Sequence, residues 1–303
     1  METKEHIAET QEQQPKKNWH DKHYKKLLLI PLIVLIFSFI YLGNFYLKNN
    51  DIIYKDISLT GGTSATIYGK LNPPEIEQAL QGKLDGVNTR EIYDLITKEQ
   101  KALIIETSSD SYTTKKVLEE YLGYELNEEN SSFEFTGSSL SQEFYRQLLI
   151  AVLIAFVFMG IVVFIIFRTF IPPTAVIISA FADILMTLVV VDLLEIKMAT
   201  AGIVAFLMLI GYSVDTDILL TSRVLKRREG SVNERIINSM KTGMTMTLTS
   251  LFAFIVALFI VKSFSNVLTQ IFTILSIGLA FDLLNTWITN VSILKWYAEQ
   301  KNA

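Results

Sequence analysis

Six separated apolar runs, each long enough to cross a bilayer, constrain this chain more than any other feature. A hydrocarbon core about 30 Å thick needs about 20 mostly apolar residues in helical form. Inside it every backbone polar group must be bonded within its own segment, so each run is expected to be a helix. The runs are 27–47, 147–167, 170–191, 198–221, 242–261 and 267–294. The first is longer than the apolar stretch of a secretory leader, and no small-x-small cleavage site follows Leu42-Gly43-Asn44-Phe45, so it is read as a retained helix.

The basic residues of short links orient such a bundle. Lys16, Lys17, Lys22, Lys25 and Lys26 precede the first run, and Arg168 follows the second. Arg223, Lys226, Arg227, Arg228 and Arg235 lie between the fourth and fifth, and Lys295 and Lys301 follow the sixth. The opposite short links carry only Lys197 and Lys262. The expected arrangement is a multi-pass protein of the cell (plasma) membrane with cytoplasmic N- and C-termini. Residues 1–26 form a cytoplasmic tail, whose first fifteen residues lack an apolar period and are expected to be disordered. Helix 27–47 leads to an extracytoplasmic segment, 48–146, and 147–303 holds the other five helices with short loops. Anchoring to anionic membrane lipids accounts for most of the basic link residues.

Several function classes are excluded. There is no cysteine, so neither a disulfide nor a thiolate metal site can form. The three histidines, His6, His20 and His23, all precede the first helix, which removes the usual general base and metal ligand from the rest of the chain. Gly61-Gly62 lacks the Lys-Ser/Thr pair of a phosphate-binding loop. The net charge of −4 gives no support for a nucleic-acid partner. No catalytic residue and no metal site is assigned, and a non-enzymatic role is expected.

Residues 48–146 read as β-α-β-β-α-β, the ferredoxin-like pattern. Strand 64–68 follows Gly61-Gly62. Asn72, the prolines Pro73 and Pro74, and Glu75 open a helix that should stop near Gly82, with Asn72 as its N-cap. Strands 90–96 and 102–107 form a hairpin. A second helix, 112–122, ends before Gly123, and Phe133-Glu134-Phe135 closes the sheet. The fold class expected is a polytopic α-helical membrane protein with one α+β ferredoxin-like extracytoplasmic domain.

The informative residues are acids inside the apolar runs, where an ionised side chain costs about 2.5–3.5 kcal/mol even on lenient scales. Asp183 lies in the third run, Asp215 and Asp217 in the fourth, and Asp282 in the sixth. Asp215 and Asp217 stand about 200° apart on a helical wheel, so they cannot face one neighbour. Gly211 shares the Asp215 face, and small residues such as Gly211 and Ser213 allow close helix approach. Ser213, Asp217 and Thr221 form the other face, and Asp282 shares its face with Asn285, Thr286 and Asn290. Lys241 opens the fifth helix and is the obvious counter-ion, although a lysine at the interface can simply snorkel. The expectation is a hydrated seam where the fourth, fifth and sixth helices meet. It is either a relay for H+ or Na+ or a static polar network, and Asp183 is more readily read as static.

Three segments resemble the SecF family of export-channel accessory subunits, part of the SecD/SecF and resistance-nodulation-division group. They are DIIYKDISLTGGTSATIYG from Asp51, FADILMT from Phe181 and IGYSVDTDILLTSR from Ile210. The last is in the archaeal form of that family's fourth-helix motif. The resemblance implies a subunit acting with SecD beside the SecY channel complex, helping a translocating polypeptide move outward with energy from an H+ or Na+ gradient. That coupling ion is the sole cofactor expected. Asp215 falls where bacterial members carry asparagine, Asp217 one residue beyond their acid, Lys241 on their arginine and Ser58 on another acid. The alternatives are a stand-alone transporter of lipids or small molecules from the same superfamily, or a structural subunit without ion coupling.

Overall fold

The computed structural model describes residues 26–94, 96–226 and 230–301 of the chain. The tail lysines before Lys26, and Arg227 and Arg228, lie outside the described residues.

Among the described residues, six helices are long and apolar enough to span a membrane. The first is α1 (Leu29–Asn49), which ends as Asn50 turns into the left-handed region at φ 53. A single turn, α2 (Ile57–Thr60), then leads into the water-exposed domain. That domain runs β1 (Gly62–Tyr68), α3 (Pro73–Leu80), β2 (Asn88–Tyr93), β3 (Gln100–Thr107), α4 (Ser111–Leu122) and β4 (Ser131–Thr136). Its sheet is antiparallel in the order β2-β3-β1-β4, the ferredoxin-like arrangement. Strand alternation turns Ala65 and Ile67 of β1 toward α3 and α4, where they meet Ile76, Leu80, Leu103, Ile105 and Leu118 in a closed core.

The caps differ in detail from those expected. Asp110 caps α4 by accepting from the Thr113 amide at 3.0 Å, and Gly123, at φ 76, ends that helix. Asn72 leaves the first turn of α3 uncapped, because its amide donates instead to Glu75 Oε1 at 2.7 Å. That helix stops at Leu80, before Gly82.

The remaining spans are α5 (Ser138–Phe167), α6 (Ile171–Leu193), α7 (Thr200–Lys226), α8 (Val232–Val261) and the compound sixth helix. The last consists of α9 (Asn266–Leu284), a π-helical segment (Asn285–Asn290) and α10 (Val291–Lys301). Two spans start well before their apolar runs. The opening turns of α5 pack beside α2 in the water-exposed domain, and α8 opens on a capping box between Ser231 and Glu234. Nor does the sixth helix end at residue 294: it continues to Lys301, with Lys295 buried. Hydropathy locates the part of a helix that lipid covers, whereas its ends follow caps and neighbours.

The domain is tied to the bundle rim by main-chain bonds. Met198 N donates to Tyr54 O at 2.6 Å, and Asp56 N to Met198 O at 3.0 Å. The Thr200 amide donates to Ser58 Oγ at 3.2 Å, and Tyr93 N to Ser263 O at 3.1 Å. At Gly61 the chain passes so near Ser138 that a Cβ would stand 2.4 Å from its Cα. Within the bundle, α6 and α7 are the enclosed helices, and α5 and α8 show most of their surface outward.

Candidate functional site

Asp183 on α6, Asp217 on α7 and Asp282 on α9 are each 0% exposed. They meet around the π-helical segment. A π turn places residues five apart over one another, so Asn285 and Asn290 line the same side of the sixth helix. The Asn285 amide donates to Asp183 Oδ1 at 2.7 Å, and the Asn290 amide to Asp217 Oδ1 at 2.7 Å. Ser213 Oγ donates to Asp183 Oδ2 at 2.6 Å. Thr187, one turn beyond Asp183, returns its hydroxyl to the Asp183 carbonyl at 2.6 Å.

Between the other two acids stands one hydroxyl. Thr286 Oγ1 lies 2.8 Å from Asp217 Oδ1 and 3.0 Å from Asp282 Oδ1. A hydroxyl carries one hydrogen. Both contacts are hydrogen bonds only when Thr286 donates to one carboxylate and accepts from the protonated partner. The geometry therefore suits one proton shared by two acids, with Thr286 as the bridge. Asn290 Oδ1 and Thr221 Oγ1 are buried oxygens without a hydrogen-bond partner, and the Ser179 hydroxyl stands beside Asp217 as those of Ser213 and Thr247 do beside Asp282. Unpartnered buried oxygens are uncommon in native interiors and suit a site that takes up a cation.

No ion pair to Lys, Arg or His holds any of the three acids among the described residues. Removing each ion from water costs several kcal/mol, so the cluster cannot hold three uncompensated charges.

Other sequence expectations land elsewhere. Asp215 is on the outer surface of α7, opposite Asp217, as the wheel requires. Gly211 shares that outer face, and no neighbour within this chain comes within 4 Å of where its Cβ would be. Lys241 is exposed on α8 and has no ion-pair partner among the described residues, so within this chain it is not the counter-ion. Ser213 is buried, but it acts as a hydrogen-bond donor as well as a small packing residue. The seam also differs in composition. It joins the third, fourth and sixth helices, and the fifth contributes Thr247 beside Asp282. Sequence reasoning missed Ser179 and the π segment. The run of polar residues Asn285, Thr286, Thr289 and Asn290 in an otherwise apolar helix was the available signal.

Residues 115–300 match the family model described as protein export membrane protein SecD/SecF, C-terminal. A protein described as protein-export membrane protein SecF from Methanocaldococcus jannaschii is 39% identical over 287 residues, covering 93% of this chain and 98% of that protein. The SecF of Methanothermobacter thermautotrophicus is 36% identical, with 93% and 95% covered. That of Pyrococcus furiosus is 32% identical, with 91% and 92% covered. The crystal structure of SecDF, a translocon-associated membrane protein from Thermus thermophilus, shares the fold. It superposes with a TM-score of 0.70 at 17% identity over 95% of this chain, which spans 39% of that longer chain.

Proposed function

This chain belongs to the SecF family of protein-export membrane proteins, and on that footing we propose that it works with SecD beside the SecY channel, coupling an H+ or Na+ gradient to the outward movement of a translocating polypeptide. Its termini are cytoplasmic and the ferredoxin-like domain is extracytoplasmic, as the basic links require.

The observation that carries the coupling is the Asp217–Thr286–Asp282 bridge between α7 and the sixth helix. Cation uptake at Asp217 Oδ2 or Asp282 Oδ2 changes which acid needs the Thr286 hydrogen. It thereby changes the bond joining two helices whose outer ends lie next to the domain: Thr200 bonds Ser58, and the loop before α9 bonds Tyr93. Ion binding and domain position are linked through those helices. The exposed stripe of Gly211 and Asp215 on α7, with Lys241, Thr245 and Thr249 on α8, supports a membrane partner, because a charge facing hydrocarbon is expensive.

The test is gradient-stimulated export in proteoliposomes carrying the chain with SecD and SecY. Asp217→Asn and Thr286→Val are expected to abolish the stimulation while the complex still co-purifies, and Thr286→Ser to keep it. Full stimulation in Asp217→Asn would defeat the coupling reading. Purification of the chain as a homo-oligomer without SecD would defeat the partnership.

A further inference from the structure

A fourth buried acid stands apart from the cluster. Asp192 is 1% exposed, and both its carboxylate oxygens are buried without a side-chain hydrogen-bond partner among the described residues. It lies nine positions after Asp183 on α6, which is about 180° around and roughly 13 Å along the helix. It therefore faces α1 and α5 rather than the seam. Its surroundings are Tyr41 on α1, Asp51 and the Tyr54 main chain in the link to the domain, and Tyr145 on α5.

These surroundings are unfavourable for a bare carboxylate. Asp192 sits in the last turn of α6, where the helix dipole presents its negative end. Asp51 adds a second negative charge, and Glu195 follows in the exposed turn beyond. The cation Lys55 is engaged nearby: it pairs with Asp51, and its Nζ lies 4.2 Å from the centre of the Tyr145 ring. Tyr145 donates its hydroxyl to Asp51 Oδ1 at 3.0 Å, not to Asp192. The Tyr54 main-chain amide is the one donor given to Asp192 among the described residues, and a buried ion left without a counter-charge is strongly disfavoured.

We propose that Asp192 is the ligand of a second cation site, at the outer rim between α1, α5 and α6, which takes up one small monovalent cation, either H+ or Na+. Asp51 and Lys55 remain partly exposed and open the site to the aqueous rim. The main chain beside it is the stretch that holds the domain, since Tyr54 O accepts from Met198 N. Occupancy at Asp192 therefore acts on the docking of that link. The site does not depend on the Asp217 bridge.

The experiment is infrared difference spectroscopy of the full chain in its native-lipid complex, stepping pH in Na+ and again in K+. The wild type is expected to show a carboxyl C=O band that responds to the step, is lost in Asp192→Asn, and persists in Asp217→Asn. A response identical in Na+ and K+ identifies H+. A titration that moves to lower pH as Na+ rises identifies Na+. Asp51→Asn keeps Asp192 and removes the neighbouring negative charge, so it is expected to weaken cation binding and move the band's titration to lower pH. A spectrum of Asp192→Asn identical to the wild type, or no movement in Asp51→Asn, would overturn the proposal. Loss of the band in Asp217→Asn alone would assign it to the central cluster and likewise overturn it.

Discussion

Exchanging Asn285 for leucine, alone and together with Asp183→Leu, tests whether the acid cluster binds its helices together through satisfied hydrogen bonds. Asp183 Oδ1 takes its side-chain donor from Asn285 at 2.7 Å, and Asn285 is itself oriented by Thr289 at 3.3 Å. Asn285→Leu keeps the branching and number of side-chain heavy atoms but strands a buried acceptor, which costs about 1–3 kcal/mol. Asp183→Leu strands the Asn285 amide and the Ser213 hydroxyl. The hydroxyl can turn back to the carbonyl one turn earlier, so the loss is again about 1–3 kcal/mol. The double replacement removes both ends of the bond and substitutes apolar contact, which is close to neutral in comparable buried sites. Two losses of about 2 kcal/mol each should therefore shrink to about 1 kcal/mol in the pair, a coupling of about 3 kcal/mol. Reversible unfolding of the purified chain in mixed micelles measures all three variants. If the double variant loses as much as the two singles summed, the bond has no part in joining α6 to the sixth helix.

Three further perturbations bear on other parts of the molecule. A Cβ at Gly243 would lie 2.4 Å from Trp287 Cζ2, so Gly243→Ala should cost about 1–3 kcal/mol in the same assay, and Trp287→Phe should recover part of it; no loss would mean that α8 does not press on the π segment there. Arg90 pairs with Glu106 and lies 3.7 Å from Asp56. Burial pushes the guanidinium below its usual range, but it is 34% exposed, so Arg90→Ala should destabilise the domain by about 2 kcal/mol, below the 3–5 of a fully buried pair, measured as faster amide exchange in β2 and β3. Asp94, bonded by Lys101 and the amides of Thr97 and Ile96, and Asp110, bonded by Thr113, are both held below the ordinary carboxylate range. Their contribution is complete above the unfolded value of about 4 and is lost as pH falls through the lower folded values. Amide protection of Ile96 and Thr97 and of the first turn of α4 should thus hold from pH 8 to about 5 and fall only below that, and a loss near neutrality would contradict the assignment.

Asp217 shows how far the sequence reached into the site. A two-residue offset on a helix must separate Asp215 from Asp217, and the structure puts one outside and the other in the centre. Which helix Asp217 meets was not legible. The wheel gives a residue's direction relative to its own helix but says nothing about the order in which six helices pack. The fifth helix, rich in threonine, was therefore expected at the seam, while Asp183 on the third helix supplies the third carboxyl. Lys241 is likewise a positive charge on an exposed face of the fifth helix, away from the three acids within this chain.

What the sequence by itself determined follows from local and solvent-averaged terms. Six apolar runs dictate six helices because the bilayer leaves the backbone no other way to bond, and the alternation and turn chemistry of 48–146 specify the β-α-β-β-α-β order. Asp110 and Gly123 mark the bounds of α4 through their own backbone geometry. Contacts between segments distant in sequence were decided only in the folded molecule. The Thr286 bridge joins residues 69 positions apart, Asn285 reaches Asp183 across 102, and Tyr145 reaches Asp51 across 94. Even the π segment belongs to this class. Its extra residue per turn gains nothing locally, and here it brings Asn285 and Asn290 onto two different acids that α6 and α7 hold in place.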